Sequence, residues 1–214
     1  MPDPPALRRL ETSRLVLRRR RPEEAATYRQ LWTERDPRVP ARRRIDTEGR
    51  PTIDDIREQV RSESSRSGLV VLAVVRRDTS EVIGYCGLFT VDGRPSDEPE
   101  LAFELLRSVH GHGLATEAAR AVVEWAEQAG LPRLWADVWD WNTASRRVLD
   151  KLGFRETGAA TAGEHGVSLT TVLELQPAPR RAARRAARRA ARRAARRAAR
   201  RAARPPGRPE HPPS

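Results

Sequence analysis

The chain has 214 residues and a formal net charge of +12, a length sufficient for one domain with a substantial core. Its single cysteine, Cys86, excludes an internal disulfide and a cysteine metal cluster, and no apolar run approaches the roughly 20 residues of a membrane span. The N-terminus lacks the basic-then-apolar order of a secretion signal, so we expect a cytoplasmic protein without membrane contact.

The first 60 residues predict one strand and two helices. Residues 14–18 alternate polar and apolar side chains, which favours a strand. After Pro22, apolar residues at helical spacing predict a helix that ends at Asp36-Pro37. A second helix begins near Thr52, whose hydroxyl can cap it. Between the helices, the run at residues 42–44 (Arg-Arg-Arg) is either a solvated surface or a patch that steers an acidic substrate.

The following residues alternate between strands and helices. Residues 69–75 and 82–90 predict a hairpin around a turn at 77–80. The remaining predicted elements are strands at 100–106, 134–141, 154–157 and 168–175 and helices at 114–129 and 143–152. The order β-α-α-β-β-β-α-β-α-β-β predicts an α/β domain with a mixed sheet that spans residues 1–177.

The positive charge is concentrated beyond this domain. Residues 180–214 contain 14 arginines and one acid, a net of 14 − 1 = +13, so residues 1–179 carry the remaining 12 − 13 = −1. Residues 180–203 repeat Arg-Arg-Ala-Ala six times, which places like charges at i,i+4 and leaves no apolar stripe. We therefore expect 178–214 to be a disordered tail, whose residues 180–204 bind RNA, DNA or another polyanion through counterion release. Repeat slippage without a selected role is the alternative.

A glycine-rich loop joins the strand at 100–106 to the helix at 114–129. The loop, His110-Gly111-His112-Gly113, has no acidic residue, and it leaves several backbone N–H groups at the positive end of a helix. This arrangement is typical of a phosphate or pyrophosphate site. Two histidines without a nearby cysteine do not predict a metal site, and we expect none.

Several segments resemble the GNAT N-acetyltransferase superfamily. Residues 100–105 with the loop and helix start at 110–118 resemble its motif A, and residues 142–154 resemble its second signature as written in the ribosomal-protein N-acetyltransferase branch. Residues 12–18 and 82–88 resemble the first strand and central hairpin of that branch. The four segments are in register over about 11–175, and the resemblance implies the GNAT fold.

The resemblance also implies acetyl-CoA as acyl donor. In this family the loop amides hold the pyrophosphate, the preceding strand pairs with the pantetheine arm, and an asparagine, here Asn142, meets that arm. The loop of the family usually begins with arginine or glutamine, whereas this loop begins with His110. The implied cofactor-binding residues are Leu105, Leu106, Arg107, His110, Gly111, His112, Gly113, Leu114, Ala115, Thr116 and Asn142.

Acetyl transfer to an amine requires a base for the ammonium and benefits from a proton donor for the departing thiolate. Many members of the superfamily use a tyrosine as the donor, but the corresponding residue here is Leu149, so Ser145 is the candidate acid. Glu104 is the first candidate for the base because it lies on the strand beside the expected thioester, and Asp140 is the second.

The resulting prediction is an acetyl-CoA-dependent N-acetyltransferase that acts on a protein N-terminus or a small-molecule amine. A degenerate domain that presents the tail to nucleic acid and an antibiotic-modifying enzyme are the alternatives. Trp135 is predicted as core, while Trp139 and Trp141 are either core or part of an acceptor cleft. Both a monomer and a homodimer agree with the sequence.

Overall fold

The computed structural model describes residues 6–64 and 68–175, although not the side chain of Ser64. Short 3-10 turns interrupt the loops at 22–24, 41–43 and 107–109. Eight strands and four α-helices follow one another along the described chain: β1 (Arg9–Glu11), β2 (Leu15–Arg19), α1 (Ala25–Glu34), α2 (Ile53–Ser64), β3 (Val71–Arg76), β4 (Val82–Phe89), β5 (Glu100–Leu105), α3 (Leu114–Ala129), β6 (Arg133–Trp139), α4 (Thr143–Leu152), β7 (Arg155–Gly163) and β8 (Gly166–Glu174).

The strands form one mixed sheet in the order β1-β2-β3-β4-β5-β6-β8-β7. Every neighbouring pair is antiparallel except β5 and β6, which are parallel. The connection between these two strands includes α3, since adjacent parallel strands need a long crossover. The register of β5 and β6 contains a single pair, Glu100 with Trp135. The described sheet therefore opens between these two strands toward their C-terminal ends.

Alternate side chains of β3 enter two different cores, which shows that the sheet is covered on both faces there. Leu72 and Val74 pack in a large core that includes residues of α3 and α4. Ala73 and Val75 pack in a smaller core with residues of α1 and α2. The two helix pairs therefore lie on opposite faces of the sheet.

The structure confirms the mixed α/β architecture and adds one strand to the predicted order. The short β1 pairs with β2, and residue 141 lies beyond the end of β6 rather than on it. None of the helices in 6–64 and 68–175 is long and apolar enough to cross a membrane. The predicted boundary near 177 and the disordered, polyanion-binding tail fall outside the described residues.

Candidate functional site

The glycine loop ends at a helix start that only glycine forms easily. Gly111 and Gly113 have φ values of 81° and 75°, and Gly113 is the N-cap of α3 in the left-handed region. No side chain caps this end of α3, and no described residue accepts a hydrogen bond from the amides of residues 111–116. The loop thus presents a row of free donors at the positive end of a 16-residue helix, which fits an anionic phosphate group.

Glu117 ties the first turn of α3 to the turn between β1 and β2. Its Oε1 accepts hydrogen bonds from the Thr12 hydroxyl at 2.6 Å and from the Arg14 amide at 3.0 Å. The Arg14 guanidinium bonds Glu117 Oε2 at 2.7 Å and the His112 carbonyl at 3.0 Å, so the tether includes the loop itself. Burial favours the neutral carboxyl, but the hydrogen bonds from Thr12 and Arg14 lower the pKa of Glu117 below its usual value. The sequence motifs did not predict this tether, for which an acid in the first helical turn is the available signal.

The end of β5 holds the backbone groups expected to meet the pantetheine arm. The Leu106 amide donates to Ile83 of β4 at 2.9 Å, so the backbone groups of Leu105 point away from β4. The Leu105 carbonyl lies 2.8 Å from Nε2 of His110, and the Arg107 amide donates to the Glu34 carboxylate at 2.7 Å. A ligand that pairs with Arg107 N therefore has to displace Glu34, whereas one that pairs with Leu105 O shares that oxygen with His110 or displaces it.

Glu104 is the best-connected acid of the site. Arg35 binds it with two hydrogen bonds, of 2.8 Å to Oε1 and 2.6 Å to Oε2, and the Tyr85 hydroxyl donates to Oε2 at 2.8 Å. The Arg35 guanidinium stacks on Trp32 at 4.3 Å, and its side chain is 9% exposed. Burial by itself would lower the pKa of Arg35, but the contacts with Glu104 outweigh it, so the pKa of Arg35 lies above its usual value. The pKa of Tyr85 is also raised, by burial and by the neighbouring Glu104 carboxylate. One lone pair of Oε1 remains for a water molecule.

The arginine run at 42–44 lies beside this ion pair. Arg35 also donates from Nη1 to the Arg43 carbonyl at 2.6 Å, and residues 41–43 are exposed. Arg42 and Arg43 are therefore solvent-exposed, whereas Arg44 is partly buried, and the Arg43 carbonyl helps to hold Arg35 against Glu104.

The start of α4 carries Asn142 and Ser145. Asn142 is the N-cap, and its Oδ1 accepts a hydrogen bond from the Ser145 amide at 3.1 Å. Neither the Ser145 hydroxyl nor the side-chain amide nitrogen of Asn142 has a hydrogen-bond partner among the described residues. Leu149 is 3% exposed and packs in the large core. The cap thus leaves two polar groups available at the N-terminus of α4.

Asp140 follows β6 and lies in a turn against the β7–β8 hairpin. Its Oδ1 accepts hydrogen bonds from the amides of Trp141 at 2.9 Å and Val167 at 3.2 Å, while Oδ2 has no partner among the described residues. Gly166, at φ 110°, approaches closely, because a Cβ there would lie 2.9 Å from both Asp140 Oδ1 and Trp141 Cδ1. The tip of the hairpin therefore holds Asp140 and Trp141 in place.

Aromatic rings line the same end of β6. The rings of Trp139 and Trp141 are nearly parallel, with centroids 6.3 Å apart, and the Arg38 guanidinium lies 4.2 Å over Trp141. Asp36 holds Arg38 with two hydrogen bonds of 2.9 Å, and these bonds lower the pKa of Asp36 to about 2. Trp135 is only partly buried, under Arg94 and Arg133, rather than in the core as predicted.

A family comparison decides what this site belongs to. Residues 14–155 match the family described as "Acetyltransferase (GNAT) domain". The chain belongs to the GNAT acetyltransferase family. The matched range contains the glycine loop, the β5–β6 opening and the whole of α4. The chain is thus an N-acetyltransferase of the GNAT family, as its sequence motifs predicted.

Two relatives from Bacillus support this assignment. The chain is 30% identical over 156 residues to the uncharacterized N-acetyltransferase p20 of Bacillus licheniformis, covering 70% of this chain and 83% of that protein. It is 35% identical over 86 residues to the uncharacterized N-acetyltransferase YoaA of Bacillus subtilis (strain 168), covering 40% and 48% of the two chains. Neither name specifies an acceptor.

Solved GNAT structures share the fold at low identity. A GNAT acetyltransferase from Bacillus anthracis aligns with a TM-score of 0.65 and 20% identity, over 78% of this chain and 98% of that chain. Mycobacterium smegmatis RimJ, solved in complex with CoA-disulfide, aligns with a TM-score of 0.60 and 21% identity, over 82% and 88%. The ribosomal-protein-S5-alanine acetyltransferase from Vibrio fischeri aligns with a TM-score of 0.54 and 17% identity, over 80% and 99%. GNAT enzymes use acetyl-CoA, and the free amides of the loop fit its pyrophosphate.

Proposed function

We propose that this GNAT enzyme transfers the acetyl group of acetyl-CoA to a primary amine, on a protein N-terminus or a small molecule, by direct attack on the thioester. The observation that carries the proposal is the row of free loop amides beside the opening between β5 and β6. Acetyl-CoA supplies the activated acyl group. The loop from His110 to Thr116 holds its pyrophosphate, and the end of β5 with Asn142 aligns its pantetheine arm.

The cofactor arm requires a local rearrangement in this proposal. Leu105, Leu106 and Arg107 lie at the opening, but the Leu105 carbonyl is bound to His110 and the Arg107 amide to Glu34. His110 and Glu34 are both on the rim of the opening, and each makes a side-chain bond that a competing ligand group can replace. Exchange of one hydrogen bond for another costs little net free energy.

Ser145 is the proposed proton donor for the departing sulfur. Its hydroxyl has no hydrogen-bond partner among the described residues, and the Asn142 cap fixes its backbone. Leu149, which the family resemblance places where many members have the donor tyrosine, is buried and has no acidic proton to give, so we assign the role to Ser145.

Glu104 and Asp140 are the proposed acceptors of the amine proton, each acting through water. Glu104 keeps one lone pair of Oε1 open, and Asp140 keeps the whole of Oδ2 open to the described surroundings. A carboxylate that holds a water beside the amine takes the proton that the attack releases.

Isothermal titration with acetyl-CoA, followed by mass spectrometry of the proteins and metabolites that the purified enzyme acetylates, tests the proposal. We expect stoichiometric binding and a product 42 Da heavier per transferred acetyl group, about the mass of C₂H₂O. A chain that fails to bind acetyl-CoA is not the proposed enzyme. That result would favour the alternative, a degenerate GNAT domain that presents the tail to nucleic acid.

The catalytic assignments have their own test. Ser145→Ala lowers kcat with little change in KM, because it removes an interaction made as the thiolate departs. Glu104→Gln or Asp140→Asn lowers the alkaline-side kcat/KM and changes the pH profile, whichever residue is the base. Unchanged profiles in both acid variants eliminate both candidates.

A further inference from the structure

A cavity of about 300 Å³ lies on the side of the glycine loop that faces β2 and β3. Ser108 and His112, from either side of the loop's first glycine, form one wall of the cavity. Arg14, Arg76 and Arg77, from the turns at the ends of β2 and β3, form the other wall. The cavity is thus continuous with the loop, with which it shares His112 and Leu114, and it adds three arginines that are neither loop residues nor catalytic candidates.

The lining is strongly cationic. The lining contains three guanidinium groups and one carboxylate, Asp78, a formal charge of 3 − 1 = +2, although Glu117 outside the lining pairs with Arg14. Asp78 binds Arg76 with hydrogen bonds of 3.0 and 2.5 Å and accepts a third from the Thr79 amide at 2.9 Å. Arg77 reaches Glu11 only at 3.6 Å and donates to the Thr12 carbonyl at 3.0 Å. Arg77 is therefore the least neutralised cation of the cavity.

Arg14 connects the cavity to the loop. Its guanidinium bonds the His112 carbonyl, and one of its nitrogens would lie 3.8 Å from a Cβ on Gly113. Glu117 neutralises Arg14 but is itself not part of the lining. Arg77 therefore supplies the excess charge, beside the Arg76–Asp78 pair, beyond the position where the loop amides hold a first phosphate.

We infer that this cavity is a second anion site, which takes a phosphate monoester through Arg76 and Arg77. The inference rests on the proposed function, because a ligand with its pyrophosphate on the loop brings its other phosphate within reach of the cavity. A phosphate monoester offers a dianion to the two guanidinium groups, and the hydroxyl of Ser108 and the ring of His112 complete the polar lining. The monoester is the 3′-phosphate of CoA or a separate phosphate.

Titrations of the full chain distinguish these sources. CoA, 3′-dephospho-CoA and inorganic phosphate are titrated into wild type, Arg76→Gln and Arg77→Gln, and circular dichroism verifies the fold of each variant. Arg57→Gln is the matched control, because Arg57 is a partly exposed arginine of α2 that pairs with Asp54, and it does not line the cavity.

If the site holds the 3′-phosphate of CoA, Arg76→Gln and Arg77→Gln each weaken CoA binding about tenfold and leave 3′-dephospho-CoA binding unchanged. If it holds a separate phosphate, both variants lose inorganic phosphate binding, while CoA and 3′-dephospho-CoA bind wild type equally. Variants that bind all three ligands like wild type and Arg57→Gln overturn the inference. A wild-type chain that binds neither coenzyme refutes the proposed function instead, and its phosphate titration still tests the cavity.

Discussion

Glu104 has a structural task in addition to any catalytic one. It neutralises Arg35, whose side chain is 9% exposed and stacked on Trp32. Removal of one partner from a buried pair leaves a charge without compensation, which costs more than the net free energy of the pair. We expect Glu104→Gln to lower the free energy of unfolding by about 2 kcal/mol, measured by urea denaturation.

Glu58→Gln is the control for this prediction. Glu58 forms an exposed i,i+3 pair with Arg61 in α2, and such pairs contribute less than about 0.5 kcal/mol. Equal losses in the two variants would mean that the Arg35–Glu104 pair is no more than a surface contact. A stability loss in Glu104→Gln also has to be separated from any change in its catalytic pH profile.

Gly166 gives a second prediction at the level of single residues. Alanine there needs a φ of 110° and places its Cβ 2.9 Å from Asp140 Oδ1 and Trp141 Cδ1. We expect Gly166→Ala to destabilise the fold by about 2 kcal/mol and to shift the tryptophan fluorescence, because Trp141 has to move. Gly163→Ala, in the same hairpin but with no atom within 4 Å of its Cβ, should change neither. An unaltered emission spectrum in Gly166→Ala would argue against this close packing.

The sequence predicted which residues carry polar chemistry but not which of them pair. Glu104 was identified from its place on a strand, whereas its partner Arg35 lies 69 positions earlier in the chain. The spacing within one element determines which side chains share a face, but contacts between elements depend on the register and on how the helices pack. For the same reason the open Oδ2 of Asp140 depends on the position of the hairpin tip, which no local pattern gives.

Among the elements, α3 and α4 were predicted with the bounds that the structure has. Left-handed glycines follow both helices, at Gly130 and Gly153, and such residues are strong local stop signals. The strands β7 and β8 are longer than predicted. Their additional residues are small or polar and show no hydrophobic alternation, so these residues form strand only through the pairing of β7 with β8. The three-residue β1 was missed because it is too short to show a period and exists through its pairing with β2.

The tether between α3 and the β1–β2 turn predicts a pH dependence. The folded-state pKa of Glu117 is below its usual value, so the folded state binds this proton less readily than the unfolded state does. The stabilisation is therefore present above the usual glutamate pKa and is lost as the pH falls below it. We expect Glu117→Gln to cost about 1 kcal/mol at pH 7, and the difference from wild type to shrink by pH 3.5 in urea unfolding.

Glu124→Gln provides the comparison for Glu117. Glu124 is exposed on the same helix, two turns further on, so its substitution should alter stability little at either pH. A Glu117→Gln penalty that stays constant between pH 7 and pH 3.5 would contradict an ionised tether.

At the scale of the whole molecule, most of the positive charge lies in a different part of the sequence from the described fold. The mixed sheet and the glycine loop lie within residues 1–179, which carry a net charge of −1, whereas residues 180–214 carry +13. The family match at 14–155 also lies within the first part. Composition alone predicts a domain boundary here, because a repeat of arginine and alanine supplies neither an apolar face nor a turn signal. The acceptor amine is the opposite case, since it depends on the shape of the opening between β5 and β6 rather than on composition.

The charge division predicts a salt-sensitive interaction that acetyl transfer does not need. We expect the full chain to bind single-stranded RNA with a logarithmic affinity that falls steeply with the logarithm of salt concentration, by about 0.7 per phosphate contacted. Deletion of 178–214 should remove most of that slope, because 14 arginines leave with the tail, and should leave the kcat/KM for a small-molecule amine unchanged. Fluorescence anisotropy at several salt concentrations measures the first effect and a steady-state assay the second.

A variant with each tail arginine replaced by glutamine separates charge from length. An equal slope in the full and truncated chains would assign RNA binding to the domain, and a fall in kcat/KM would give the tail a part in acceptor recognition.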